Sequence, residues 1–235
     1  MIPAYNEENR LPATLARLFS FLNTSSFGDA EVLIVDDGSR DGTAAMVEDF
    51  AQLYPTVRLL RNPGNRGKGY AVRHGMLAAQ GEWVLFTDAD LSSPIEEVEK
   101  LIAAVREQNA VGAIGSRALN RKLVSVHQSA FREYSGRFFN LTMRLITGLP
   151  YADTQCGFKL FRRDVAQEVF RRVRIPGFGF DVEALFVAQR LGYLVVEVPV
   201  RWANAEGTKV TMLNGLQAFT DLIAVRWNQL RGHYD

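Results

Sequence analysis

Residues 83–90 read WVLFTDAD, an apolar run that ends in two carboxylates, Asp88 and Asp90. The run is too short and too continuously apolar for an amphipathic helix, and it reads as a strand buried on both faces. Residues 31–36 (EVLIVD), 57–60 and 111–115 have the same character. Between these runs stand stretches of helical spacing: one through Met46, Phe50 and Leu53, one over residues 70–79 and one over 94–107. Buried strands alternating with amphipathic helices predict an α/β fold with a Rossmann-like, mostly parallel sheet and helices on both faces. Beyond residue 115 the pattern predicts helices over 129–146, 163–172 and 181–191 and strands over 157–161 and 194–200. A last stripe carries Leu213, Leu216, Phe219, Leu222, Ile223 and Leu230 at helical spacing. No repeat, low-complexity tract or linker interrupts the chain, so a single domain over residues 1–235 is expected.

Of the 235 residues 47% are hydrophobic and 23% charged, which excludes disordered, collagenous and coiled-coil classes. The lone cysteine, Cys156, excludes a disulfide framework. No apolar stretch of about 18 residues is present to span a membrane, and the opening MIPAYNEENR does not resemble a signal peptide. A cytoplasmic location is therefore expected. The net charge of +1 divides unevenly: residues 1–114 hold 10 Lys/Arg against 16 Asp/Glu, and residues 115–235 hold 17 against 10. An acidic half suits a hydrated cation, and a basic half suits phosphate or an anionic membrane surface.

Ligands of open parallel sheets bind beyond the carboxyl ends of the strands. Four polar turns fall there, at residues 3–8, 36–39, 61–69 and 87–90. Asp88 and Asp90 repel one another unless a cation joins them, and their spacing on extended backbone sends both to one side. Carboxylate oxygens suit Mg²⁺ or Mn²⁺, which keep sites for water and phosphate oxygens. Asp36 and Asp37 fit either the base and ribose of a nucleotide or an ordinary solvated turn. Gly64, Gly67 and Gly69 beside Arg66 and Lys68 let backbone approach a phosphate, yet they form neither a dinucleotide fingerprint nor a Walker loop.

The series MIPAYNEE, VDDGSRDGT, NRGKGYAVRHGM, DAD, GSR, DTQCGFKLF, FDVEAL and VEVPVRW…GTKV resembles, in order and over essentially the whole chain, the family-2 inverting glycosyltransferases of GT-A fold. The polyprenyl-phosphate branch is the most similar, dolichyl-phosphate glucosyltransferases first and mannose synthases next. The resemblance implies a nucleotide-sugar and metal half over 1–114, an acceptor half over 115–210 and an amphipathic helix over 211–235. It implies that Pro3, Tyr5, Glu7, Asp36, Asp37, Lys68, Ala89, Arg117, Gln155, Arg201 and Lys209 hold the nucleotide sugar. Asp88 and Asp90 would hold Mg²⁺ or Mn²⁺ and the sugar diphosphate, Asp153 would join them in catalysis, and Arg117, Arg132 and Ser135 would meet the acceptor phosphate.

The implied reaction moves a hexose, glucose from UDP-glucose, to a polyprenyl phosphate. Its partners are the donor, the lipid acceptor and a membrane surface or a membrane-embedded partner at the cytosolic face; nucleic acid is not expected. Three alternatives stand beside it: mannose transfer from GDP-mannose, transfer to a saccharide hydroxyl, and a non-enzymatic sugar-nucleotide-binding scaffold. The terminal stripe has two readings, a helix lying in the membrane interface or one packed on the domain.

Overall fold

Val32–Asp36 (β2) is buried at all its residues, as its unbroken apolar run requires. The computed structural model describes residues 1–27, 29–126, 130–204 and 212–235, without the side chains of 130–135, 137, 212–216 and 218. The chain runs Ile2–Ala4 (β1), Leu11–Thr24 (α1), β2, Thr43–Leu53 (α2), Val57–Arg61 (β3), Lys68–Ala78 (α3), Trp83–Thr87 (β4) and Val98–Glu107 (α4). It continues through Gly112–Ser116 (β5), Val124–Val126 (β6), Ala130–Thr147 (α5), Phe158–Arg162 (β7) and Arg163–Arg172 (α6). Phe180–Arg190 (α7), Val195–Pro199 (β8), Trp202–Ala203 (β9) and Met212–Leu230 (α8) complete it.

β1, β2 and β3 form one parallel sheet in that order. β4, β7, β5 and β8 form a second, in which β7 runs antiparallel to both neighbours and β5 lies parallel to β8. Backbone hydrogen bonds from Met1 N to Leu85 O (2.6 Å) and from Thr87 N to Met1 O (3.1 Å) join the sheets between β1 and β4. The chain thus builds outward to β3 and then crosses to the other side of β1. That reversal of strand order opens a crevice at the carboxyl ends of β1 and β4, which is where doubly wound sheets bind ligands.

Successive strand residues face opposite ways, and two cores result. Leu33, Ile114 and Phe161 face one, with α3, α5, α6, α7 and α8. Ile34, Ala113 and Leu160 face the other, with α1, α2 and α4.

The structure corrects the sequence reading in three places. Asp88–Asp90 lie in a turn just beyond β4 and not on extended backbone: Leu91 N donates to Asp88 O (3.2 Å), and Leu91 takes a positive φ of 45°. Strand pleat therefore does not orient the two carboxylates. β7 enters the sheet antiparallel, because the chain returns from α5 on the side from which β4 and β5 end. Lastly, the terminal stripe is two faces and not one. Leu222 and Val225 are fully buried against α7 and its surroundings, whereas Ile223 and Leu230 are 64% and 80% exposed. The packed reading of α8 holds for the face of Leu222 and Val225, and the other face is exposed. Leu213 and Leu216 fall among side chains outside the description.

Candidate active site

The rim turns are stitched together by backbone donors and short polar side chains. Asn6 N donates to Ser39 Oγ (2.9 Å), Glu7 N to Thr43 Oγ1 (2.8 Å), Arg40 N to Asn6 Oδ1 (2.8 Å) and Gly42 N to Glu8 Oε2 (2.9 Å). Pro3 sits within β1 opposite Val35, one strand residue below the rim, and Tyr5 and Glu7 stand in the turn above it. Asp36 ends β2, and its carboxylate accepts from Ser39 N (3.2 Å). Asp37 is buried, and its carboxylate accepts from Asn62 Nδ2 (2.7 Å), Arg66 N (3.0 Å) and Gly67 N (2.8 Å). It is the internal anchor of the glycine-rich loop 62–69, a role that neither sequence reading of Asp36 and Asp37 contained.

That loop delivers Lys68 to the crevice. Gly67 takes a φ of +100°, which disfavours any side chain, and a Cβ there would fall 2.5 Å from Pro176 O. Lys68 Nζ lies 2.7 Å from Asp88 Oδ1, with the rings of Phe86 and Phe178 at 5.5 and 5.7 Å. Burial lowers the pKa of Lys68, but Asp88, Asp181 and Asp90 together outweigh it and hold the ammonium above its ordinary range. On its other side Asp88 rests on Gly157. Asp88 N donates to Gly157 O (3.2 Å), and a Cβ at residue 157 would stand 2.0 Å from Asp88 Oδ2. Asp90 Oδ1 accepts from Ser92 N (2.9 Å), while Ala89 between them is buried in the core. Beneath this turn Lys159, fully buried, donates to Cys156 O (2.6 Å) and pairs with Asp181.

Asp153 and Arg117 form the second centre. Arg117, just past β5, donates to the Asp153 carboxylate from Nε (2.6 Å), Nη2 (2.8 Å) and its backbone N (3.0 Å). Its guanidinium carbon stands 5.4 Å from the centre of the Trp202 ring. Glu197 on β8 accepts from Ala152 N (2.9 Å) and Asp153 N (2.7 Å), fixing the loop that presents Asp153. Burial alone raises the pKa of Asp153, yet Arg117 outweighs it and holds the carboxyl below its ordinary value. Arg117 for its part is desolvated but held above its usual range by Asp153, with a smaller contribution from Asp88. The two centres therefore feel one another across one crevice.

Not every expected residue joins them. Gln155 lies in the loop before β7, where its N donates to Asp153 Oδ1 (3.2 Å). Arg201, expected at the nucleotide sugar, donates to Glu97 from both its backbone N (3.1 Å) and its Nε. Glu97 is buried and Arg201 is half exposed at the edge of the rim. Lys209 lies outside the described residues, as do the side chains of Arg132 and Ser135 on α5. Gly157, Glu197, Trp202 and the Lys159–Asp181 pair were not foreseen. All of them stand within the quoted motifs DTQCGFKLF, FDVEAL and VEVPVRW, and the pair left a further signal, a lysine inside the apolar strand FKLF.

Among the described residues no three His, Cys, Asp or Glu side chains gather into a metal cage. Two carboxylates on one turn are nonetheless the donor set that Mg²⁺ or Mn²⁺ takes when phosphate oxygens and water complete its shell. The residues present therefore fit such an ion.

Residues 1–170 match the sequence model of glycosyl transferase family 2. The chain is 36% identical over 245 residues to a dolichyl-phosphate beta-glucosyltransferase of Dictyostelium discoideum, covering 99% of this chain and 74% of that protein. The enzymes of the same name from Homo sapiens and Saccharomyces cerevisiae are also 36% identical, and the chain covers 75% of each. Among solved structures it is similar to a mannosyltransferase of Pyrobaculum calidifontis in complex with GDP-mannose and Mn²⁺. The TM-score is 0.66 at 19% identity over 97% of this chain, which spans 63% of that one. It is likewise similar to glucosyl-3-phosphoglycerate synthase of Mycobacterium tuberculosis with Mn²⁺, UDP-glucose and phosphoglyceric acid, with a TM-score of 0.64, 17% identity, and coverage of 95% of this chain and 77% of that one. At such identities the structural likeness speaks for the GT-A fold, while sequence carries the kinship. The chain belongs to glycosyl transferase family 2 and is a glycosyltransferase.

Proposed function

We propose that the protein transfers glucose from UDP-glucose, with inversion, to the phosphate of a polyprenol such as dolichol. The observation that carries this reading is the state of Asp153. Asp153 is the carboxylate that a hydroxyl acceptor would take as its base, and it is locked onto Arg117 with its pKa depressed. An acceptor that must lose a proton in the transition state is poorly served by such a group. A phosphate monoester, with a second pKa of about 6, is already an anion near pH 7 and attacks without a base.

In this reading Asp37 shapes loop 62–69 around the nucleotide. Asp88 and Asp90 hold Mg²⁺ or Mn²⁺, which supplies charge stabilisation to the departing diphosphate. Arg117, fixed by Asp153 and backed by Trp202, presents its guanidinium edge to the acceptor phosphate as a planar donor. Names of the relatives support the polyprenyl phosphate and the glucose.

A membrane surface as partner is supported by α5 and α8. The rings of Phe138 and Phe219 meet at 6.0 Å. Leu141 and Leu145 follow Phe138 on one side of α5, and Ile223, Trp227 and Leu230 follow Phe219 on one side of α8; all five are more than half exposed. Arg144, Arg226 and Arg231, also exposed, add positive charge suited to anionic headgroups. No helix among the described residues is long and apolar enough to cross a bilayer.

The test is a product assay with Mn²⁺, labelled UDP-glucose or GDP-mannose, and polyprenyl phosphate or free polyprenol. Glucosyl phosphopolyprenol is the expected product, with a rate that falls below about pH 6 as the acceptor takes up its proton. Mannose transfer, or transfer to the free alcohol, overturns the reading. For the membrane, Ile223→Glu with Leu230→Glu is expected to abolish sedimentation with anionic liposomes while leaving the melting temperature unchanged.

A further inference from the structure

We infer that Lys68 is a resident counter-cation of the Asp88–Asp90 turn, which competes with the divalent ion for Asp88 and is drawn off by the donor's diphosphate, so that cation binding depends on donor binding. The inference deepens the proposed function and rests on its reading of Asp88 and Asp90.

Three features carry it. The first is occupancy. Oδ1 of Asp88 holds Lys68 Nζ at 2.7 Å, while Oδ2 lies closest to Gly157, where even a methyl group would not fit. A cation that binds Asp88 through Oδ1 therefore has to share or displace the ammonium. The second is where Lys68 stands. It is the first residue of α3, whose opening turn has no acidic side chain. A positive charge is disfavoured at a helix N-terminus, where the dipole is itself positive, unless an anion lies opposite. Asp88 is that anion now, and a diphosphate at the same helix end is a stronger one. The ammonium lies 5.5 and 5.7 Å from the ring centres of Phe86 and Phe178, and the partial exposure of the side chain leaves it a path outward.

The third feature is charge balance. Asp88, Asp90 and Asp181 all act on Lys68, and Lys159 is the other ammonium in the cluster. Three carboxylates face two ammonium groups, one charge short of neutrality. A divalent ion added alone leaves the cluster net positive with Lys68 against it. A diphosphate arriving with the ion neutralises that excess and takes over Lys68. Each ligand then raises the affinity of the other by the same factor, as linkage requires.

The experiment measures Mn²⁺ binding by electron paramagnetic resonance of the free ion, with and without UDP, for wild type, Lys68→Met, Lys68→Gln and Lys68→Arg. Without UDP, Lys68→Met and Lys68→Gln are expected to bind Mn²⁺ about tenfold more tightly than wild type, since a repelling charge has gone. The factor by which UDP strengthens Mn²⁺ binding should fall about tenfold in the same two variants. Lys68→Arg should behave as wild type. Lys68→Met keeps an unbranched apolar stem near the rings of Phe86 and Phe178, so it carries the test should the glutamine variant melt early. Equal Mn²⁺ affinity of wild type and Lys68→Met in the absence of UDP overturns the inference, and so does an undiminished effect of UDP. The metal reading itself fails, and the inference with it, should Asp88→Ala and Asp90→Ala bind Mn²⁺ as wild type does in the presence of UDP.

Discussion

Two acidic turns close strands that flank β1 on either side, Asp36-Asp37 after β2 and Asp88-Ala-Asp90 after β4, and their carboxylates are held in opposite ways. Asp37 is buried, and backbone and amide donors take up its carboxylate. Asp88 is partly exposed, and its partner is the end of a flexible side chain. A carboxylate held by backbone N–H groups is part of the scaffold, because those donors cannot leave without unfolding the loop. A carboxylate held by a lysine stays available, since the lysine can be exchanged for another cation. The contrast teaches that the partner, more than the acid, decides whether a turn is framework or chemistry.

The largest effect that sharpens this contrast is expected at Asp90. Asp90→Ala should lower turnover at least about 10³-fold while shifting unfolding stability by less than about 1 kcal/mol, because among the described residues the side chain's hydrogen bond is to a local backbone N–H. Turnover and urea denaturation on the same preparation check both halves. Next comes the mirror experiment. Asp37→Ala strands the Asn62 amide and two backbone donors, so a stability loss of about 3 kcal/mol is expected by urea denaturation, far beyond that of Asp90→Ala.

Gly157→Ala should follow, with a loss of about 10² in turnover at near-normal stability: the added methyl displaces the Asp88 carboxylate and not a core side chain. A variant as active as wild type would mean that Asp88 is not held where its chemistry needs it. The smallest effect is expected at Asp153. Asp153→Asn keeps the shape but loses the charge that orients Arg117, so the single-turnover rate at saturating acceptor should fall about tenfold or less, with a larger rise in acceptor KM. Its stability has a sign as well. The folded pKa of Asp153 lies below the unfolded value of about 3.9, so its contribution is fully present above that pH and is lost as pH falls through the folded value. Wild type and Asp153→Asn should therefore differ in urea stability at pH 7, and the difference should shrink as pH falls below about 3.9.

Much of the fold is legible because burial writes itself into short apolar runs. The strands over β2, β3, β4, β5 and β8 and the helices α2, α3, α4, α6 and α7 stand within a few residues of where the periodicity puts them. Helix α1 was not among the expected elements, although Leu11, Leu15 and Leu18 stand at helical spacing and are buried. Its start carries one signal, Pro12 in the first turn, but lacks the other, because Arg10 offers no capping side chain. The short strands β6 and β9 have too few residues to show any period.

What the sequence by itself determined is the class of fold, the acidic turns at the strand ends and the kinship carried by motifs such as DTQCGFKLF. These are local properties, written in runs of side chains that follow the period of one strand or helix. Tertiary structure alone decided which carboxylates are bound and by what. Arg117 reaches Asp153 across 36 residues, and Glu97 takes Arg201 across 104. Lys68 meets Asp88 only because Pro176, from the other half of the chain, receives the N–H of Gly69 and sets the start of α3. Charge pairing depends on distance in space and on burial. Neither is recorded in the order of residues, which is why one sequence grammar, an apolar run ending in aspartates, yields a carboxylate held by backbone donors after β2 and one held by a lysine side chain after β4.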